Sequence, residues 1–177
     1  MLSDIVSLSY LVVGLLSGAV STAIMTLTEI PSWKRWGLHG VFEWHENQVI
    51  TRRLFKLPNE NNNIHFKGIF FFHFLNGILA GIAFPFIVTF FFTTLIGSFA
   101  SLLLLGTLYG LVLWIITLVP IHKPITGLSQ FNHPLGHVPA FASLSGHIVY
   151  GVVLGFMIFT FMSNYISDNV STKLWMR

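Results

Sequence analysis

The chain has 177 residues, of which 54% are hydrophobic and only 8% carry a formal charge. Soluble domains carry roughly 25% charged residues, so a soluble globule, a disordered tail and a nucleic-acid-binding domain are excluded. The net charge of +3 comes from a few cations outside the apolar stretches, and the absence of cysteine removes disulfides, thiolate metal sites and cysteine nucleophiles.

A helix needs about 20 apolar residues to cross a bilayer, and four segments qualify: about 5–30, 68–93, 94–120 and 143–165. The sequence therefore predicts an all-α integral membrane protein, a single transmembrane domain of four helices. The first segment has Asp4 ahead of it and neither a basic leader nor a small-residue cleavage site, so it reads as a retained span. A long loop, 31–67, follows. Between Gly40 and Leu57 it carries no Gly or Pro and is expected to form a short interfacial helix. Its apolar residues scatter around the helical wheel. Arg52, Arg53 and Lys56 share one face, which fits lipid headgroups or, alternatively, a partner subunit. Glu43-Trp44-His45-Glu46 tempts a search for an acid–base pair, but adjacent helical residues point about 100° apart, so a surface or headgroup role is expected there.

Spans two and three run almost together through Phe90-Phe91-Phe92-Thr93-Thr94, which predicts a tight, uncharged hairpin. Pro85 should kink the second span. The second loop, 121–142, leads to span four. Seven of the nine Lys and Arg residues lie in the two long loops, and only Lys173 and Arg177 lie on the other side. This bias places both loops in the cytoplasm and both termini outside, in a plasma membrane. Trp33, Trp36, Trp44 and Tyr165 fall near the expected interfaces, where amphipathic rings settle. Met25, Met157 and Met162 read as gap-filling core.

A repeat is written in glycine. Span two carries His73-x-x-x-Gly77-x-x-x-Gly81 and span four His147-x-x-x-Gly151-x-x-x-Gly155. Spans one and three match more weakly, Gly14-x-Leu-x-Gly18 against Gly106-x-Leu-x-Gly110, each with a proline past its end (Pro31, Pro120). Small-x-x-x-small stripes let helix backbones approach in lipid. The expected fold is thus a four-helix bundle made of two parallel two-helix repeats. On these stripes the chain resembles a broad family of small four-helix membrane proteins of the YagU type. The residues carrying the likeness are Gly14-x-x-x-Gly18 running into Ala23-Ile-Met25-Thr26, Gly106-Thr-Leu-Tyr109-Gly110, and His147-x-x-Tyr150-Gly151-x-x-Leu154-Gly155. The resemblance implies a fold and supplies no chemistry.

Glu29 shares the small-residue face of span one, and His73 and His147 share the glycine faces of spans two and four. Ionisable groups at membrane depth are costly and point inward toward partners. All eight histidines map to the loop side. Three readings of Glu29, His73 and His147 follow. They hydrogen-bond one another, or Asn76 and Tyr150, and hold the bundle together. They bind a transition metal such as zinc, copper or iron, with His122, His133 or His137 completing the shell. Or His73 and His147 ligate haem. No nucleotide-binding loop, dinucleotide fingerprint or nucleophile elbow is present. The function expected is that of a non-catalytic accessory or structural subunit, with membrane lipids and other membrane subunits as partners. The alternative is a small transporter or redox subunit, for example of a copper- or haem-dependent membrane oxidoreductase.

Overall fold

The computed structural model describes residues 2–58, 63–95, 98–129 and 133–175, with side chains described from 9 to 161 inside those bounds except at 93. The helices are α1 (Leu2–Trp36), α2 (Phe42–Leu54), α3 (Phe66–Phe91), α4 (Phe99–Ile116), α5 (Lys123–Thr126) and α6 (Val138–Trp175). Among the described residues there is no strand. Four helical stretches are long and apolar enough to cross a membrane: Ser9–Gly40, Phe66–Phe91, Phe99–Thr126 and Val138–Phe161. The protein is an integral membrane protein of all-α fold.

Glycine decides the packing. A Cβ on Gly18 would stand 2.8 Å from the Gly77 carbonyl oxygen, and one on Gly14 would stand 2.8 Å from that of Gly81. α1 and α3 therefore touch backbone to backbone. The α4–α6 seam is built alike: a Cβ on Gly106 would strike the Gly151 carbonyl, and one on Gly110 the carbonyl of His147. α1 also packs closely along α6, whereas α3 and α4 have little backbone contact. Around the bundle the order is α3, α1, α6, α4, with the loosest seam between its two ends. Met25, Phe84, Val88, Leu102, Tyr150, Leu154 and Ile158 form the main apolar core.

Several expectations change. α1 does not stop before Pro31 but runs through it to Trp36. Pro31 falls in the last turns, where its missing N–H costs one hydrogen bond in a helix already held by α3 and α6. α3 runs through Pro85, as the span read from the sequence does, and Pro85 is buried. At Pro120 the backbone widens into a π-helical turn, Thr117–His122. The wider register relieves the clash that a proline ring makes with the carbonyl four residues back. The hairpin between spans two and three is looser than expected. A 3₁₀ turn, Thr93–Leu95, precedes α4, and Ser98 caps that helix by accepting from the Ser101 amide.

The largest difference concerns α2. It folds down onto the loop-side end of the bundle and buries Phe42, Glu43, Trp44, Glu46, Asn47, Gln48 and Thr51. Trp44, expected at an interface, is only 1% exposed. With Val41 and Ile69 it forms a second core, packed by Trp33 and Phe70. Tyr165 and Met162 lie outside the residues whose side chains are described.

Candidate functional site

Where the glycine seams end, toward the loops, the interior turns polar. Three histidine–carboxylate pairs are buried there. His73 on α3 places Nε2 3.6 Å from Glu29 Oε2 on α1. His147 on α6 places Nδ1 3.5 Å from Glu43 Oε1 on α2. His122, at the end of the π turn, places Nδ1 2.8 Å from Glu46 Oε1, also on α2. Sequence reasoning grouped Glu29, His73 and His147 as one cluster. The structure brings the first two together and gives His147 a different acid, supplied by the helix expected at the membrane surface.

Two of the carboxylates have a second tie. The Trp44 indole donates to Glu29 Oε2 at 2.7 Å. Ser143 donates to Glu43 Oε1. Gly146 leaves the space that Glu29 Oε1 occupies against α6. These contacts lock α2 to α1 and α6. Burial, then the neighbouring Glu43 carboxylate, push Glu46 up to about 9. At neutral pH Glu46 therefore holds its proton and donates it to His122 Nδ1.

The tautomers of the other two histidines follow from their partners. The Thr26 hydroxyl donates to the Thr22 carbonyl at 2.7 Å, so its oxygen accepts from His73 Nε2 at 3.1 Å. His147 Nδ1 faces the Ser143 carbonyl at 3.0 Å and must be the donor. Each neutral ring then keeps one unprotonated nitrogen, Nδ1 of His73 and Nε2 of His147. Glu43 Oε2 and Glu29 Oε1 are buried without a partner among the described residues.

Between these groups lies a cavity of about 140 Å³. Its polar wall includes His73, His147, Glu43, Glu46, Asn47 and Asn76, and its apolar wall includes Met25, Ile50, Ala80, Leu113 and Ile121. α2 roofs it. Lower down, Tyr109 reaches from α4 to the Ala80 carbonyl at 2.9 Å, and Tyr150 reaches from α6 to that of Gly77 at 2.7 Å.

A second histidine group stands outside this chamber. The rings of His39 and His45 are 4.6 Å apart, His45 and His122 are 6.2 Å apart, and His39 and His133 are 6.2 Å apart. Phe42 packs against His122 and His133. His45 is pushed down to about 4, by burial first and then by the charges of His39, His122, His133 and Arg52. Burial and His39 also lower His133. His133 Nδ1 accepts the Leu135 amide at 3.1 Å, so Nε2 carries the proton and has no lone pair for a metal. His137 is exposed at the start of α6. Among the described residues no three His, Asp or Glu side chains converge to hold a metal ion. A cavity of about 140 Å³ has room for one small ring and not for a porphyrin. Arg52 and Arg53, expected at headgroups, donate to the carbonyls of Asn63 and Ile125 and tie down the end of α2.

Glu43 and Glu46 were missed as site residues, although a signal existed. Glu43, Glu46, Asn47 and Thr51 recur at helical spacing, and in a helix with no apolar stripe that polar stripe is the buried face. Compared with protein-family models, with curated proteins and with solved structures, the chain matches none.

Proposed function

We propose that the chain is a non-catalytic accessory subunit that brings a histidine- and carboxylate-walled chamber to a larger membrane complex. The chamber itself carries this reading. Burying three acids and three histidines at one end of an apolar bundle is costly, and a helix bundle meant only to fill space needs none of them. The folded mass outside the four spans is little more than α2, too small for a domain of its own. The exposed loop-side cations Lys34, Arg35, Arg53, Lys56, Lys67 and Lys123 give α2's end of the molecule a basic face toward acidic partners or anionic lipid. In this reading the two glycine seams descend from one two-helix unit, as in the YagU-type proteins, and the basic loops face the cytoplasm of a plasma membrane.

The second reading, a small transporter or redox subunit, draws on one observation: the chamber walls carry protonatable groups on three different helices, α2, α3 and α6. Extraction in mild detergent tests the first. Co-migration with other subunits on a native gel, retained in a His73→Gln/His147→Gln variant that has lost the complex's turnover, supports an accessory role for the chamber. A lone chain with transport activity of its own overturns it in favour of the second.

A further inference from the structure

Of the neighbouring spans, α3 and α4 have the least backbone contact, and below the chamber the space between them is filled by the Phe84 and Tyr109 rings, 5.1 Å apart. The Tyr109–Ala80 bond bridges that gap below, and α2 closes it above. On the rim, Asn76 is exposed at the surface yet also lines the cavity, beside Ala80 on α3, Leu113 on α4 and Thr117 and Ile121 in the π turn.

The polar wall asks for hydrogen-bond donors. His73 Nδ1 and His147 Nε2 are left as lone pairs by the bonds their other nitrogens make. Glu43 Oε2 also lacks a partner among the described residues, but it is fully enclosed and out of reach of a ligand in the cavity. Unmet acceptors on a cavity wall are costly, and a ligand O–H satisfies them. The two open acceptors stand on different helices, α3 and α6, so a head with two separated hydroxyls serves them better than a single alcohol. The volume is that of one small ring: a dry cavity of about 150 Å³ takes benzene. Met25, Ile50, Leu113 and Ile121 supply apolar contact for the ring faces.

We propose that this chamber binds the head of a lipid-soluble hydroquinone, its ring between α3, α6 and the roof helix and its tail past Asn76 on the rim. The proposal rests on the reading of the chamber as a binding site, and it concerns binding only.

The test uses the full chain in phosphatidylcholine nanodiscs, under anaerobic conditions, with an alkyl-tailed hydroquinone, its dimethyl ether and the matching alkyl alcohol as probes. Equilibrium partitioning against empty nanodiscs should show one saturable hydroquinone per chain. The ether and the alcohol should bind at least about tenfold more weakly, because acceptors stay unpaired. Ala80→Phe, at the mouth, should abolish saturable binding. If Ala80→Phe does not fold, Asn76→Leu on the exposed rim should weaken hydroquinone binding about tenfold. Equal binding of all three probes, or saturable hydroquinone binding unchanged in a folded rim variant, overturns the proposal. A chain that binds hydroquinone but purifies alone sinks the subunit reading and leaves this one standing. A chain that co-migrates with partners and binds no probe does the reverse.

Discussion

The α1–α3 and α4–α6 pairs share a frame and differ in their chemistry. Both cross on glycine, with carbonyls set where a Cβ would sit. Fifteen residues beyond the first glycine, α1 carries Glu29, while the π turn after α4 carries Ile121 at the same count from Gly106. The first pair thus holds its own acid for His73, whereas the second must borrow. It borrows from α2, whose Glu43 and Glu46 reach His147 and His122. Two similar glycine seams build the bundle, and α2 makes the site. The chamber lies where the likeness of the two seams ends.

The glycine seams should give the largest effects, and similar ones. Gly106→Leu places a branched side chain against the Gly151 carbonyl and the backbone of Gly155, neither of which can move aside. Overpacking typically costs about 1–3 kcal/mol, and contact with backbone puts this case at the upper end. Gly18→Leu, against Gly77 and Gly81, should cost the same within about 1 kcal/mol. Thermal unfolding in detergent measures both. If one seam tolerates leucine, the two pairs are not equivalent in packing.

Glu29→Ile makes the first half resemble the second. It strands the Trp44 indole N–H in a core where Trp44 is 1% exposed, and it removes the acid beside His73. Leaving a buried donor unpaired costs about 1–3 kcal/mol. Trp44→Phe in the same chain should recover part of that loss, because both partners are then gone. A double-mutant cycle showing no coupling between the two sites would rule out the Glu29–Trp44 tie as the anchor of α2.

Much of the fold was legible in the sequence, because spans depend on local apolar length and seams on glycine spacing. The four spans, the inward faces of Glu29, His73 and His147, and their gathering at one end all read directly. The burial of α2 did not. A polar helix is usually a surface helix, and α2 reverses that rule because its polar face meets histidines donated by spans far away in sequence. Glu43 and Ser143 lie 100 residues apart. Helix ends at Pro31 and Pro120 were also misjudged, since local rules for proline yield to tertiary packing and to a π turn. The sparse backbone contact between α3 and α4 could not be foreseen from either helix alone.

The smaller test of the asymmetry is a pH profile, because the borrowed acid Glu46 and its neighbour His45 both lie on α2. Glu46 sits at about 9 in the folded chain, against roughly 4.3 for an unperturbed glutamate. The folded state keeps a proton that the unfolded chain releases, so the Glu46 contribution is complete below about pH 4.3 and is lost as pH rises toward 9. His45 sits at about 4, against roughly 6.5 unperturbed. There the unfolded chain takes a proton that the folded state refuses, so its contribution is complete above about pH 6.5 and fades as pH falls toward 4. Unfolding temperature in detergent should therefore pass through a maximum between these limits, with an alkaline limb from Glu46 and an acid limb from His45. Glu46→Gln can still donate to His122 Nδ1 and has no proton to lose, so it should shrink the alkaline limb and leave the acid one. His45→Gln should shrink the acid limb and leave the alkaline one. An alkaline limb unchanged by Glu46→Gln would mean that the Glu46 carboxyl does not help bind α2 to the second half of the bundle.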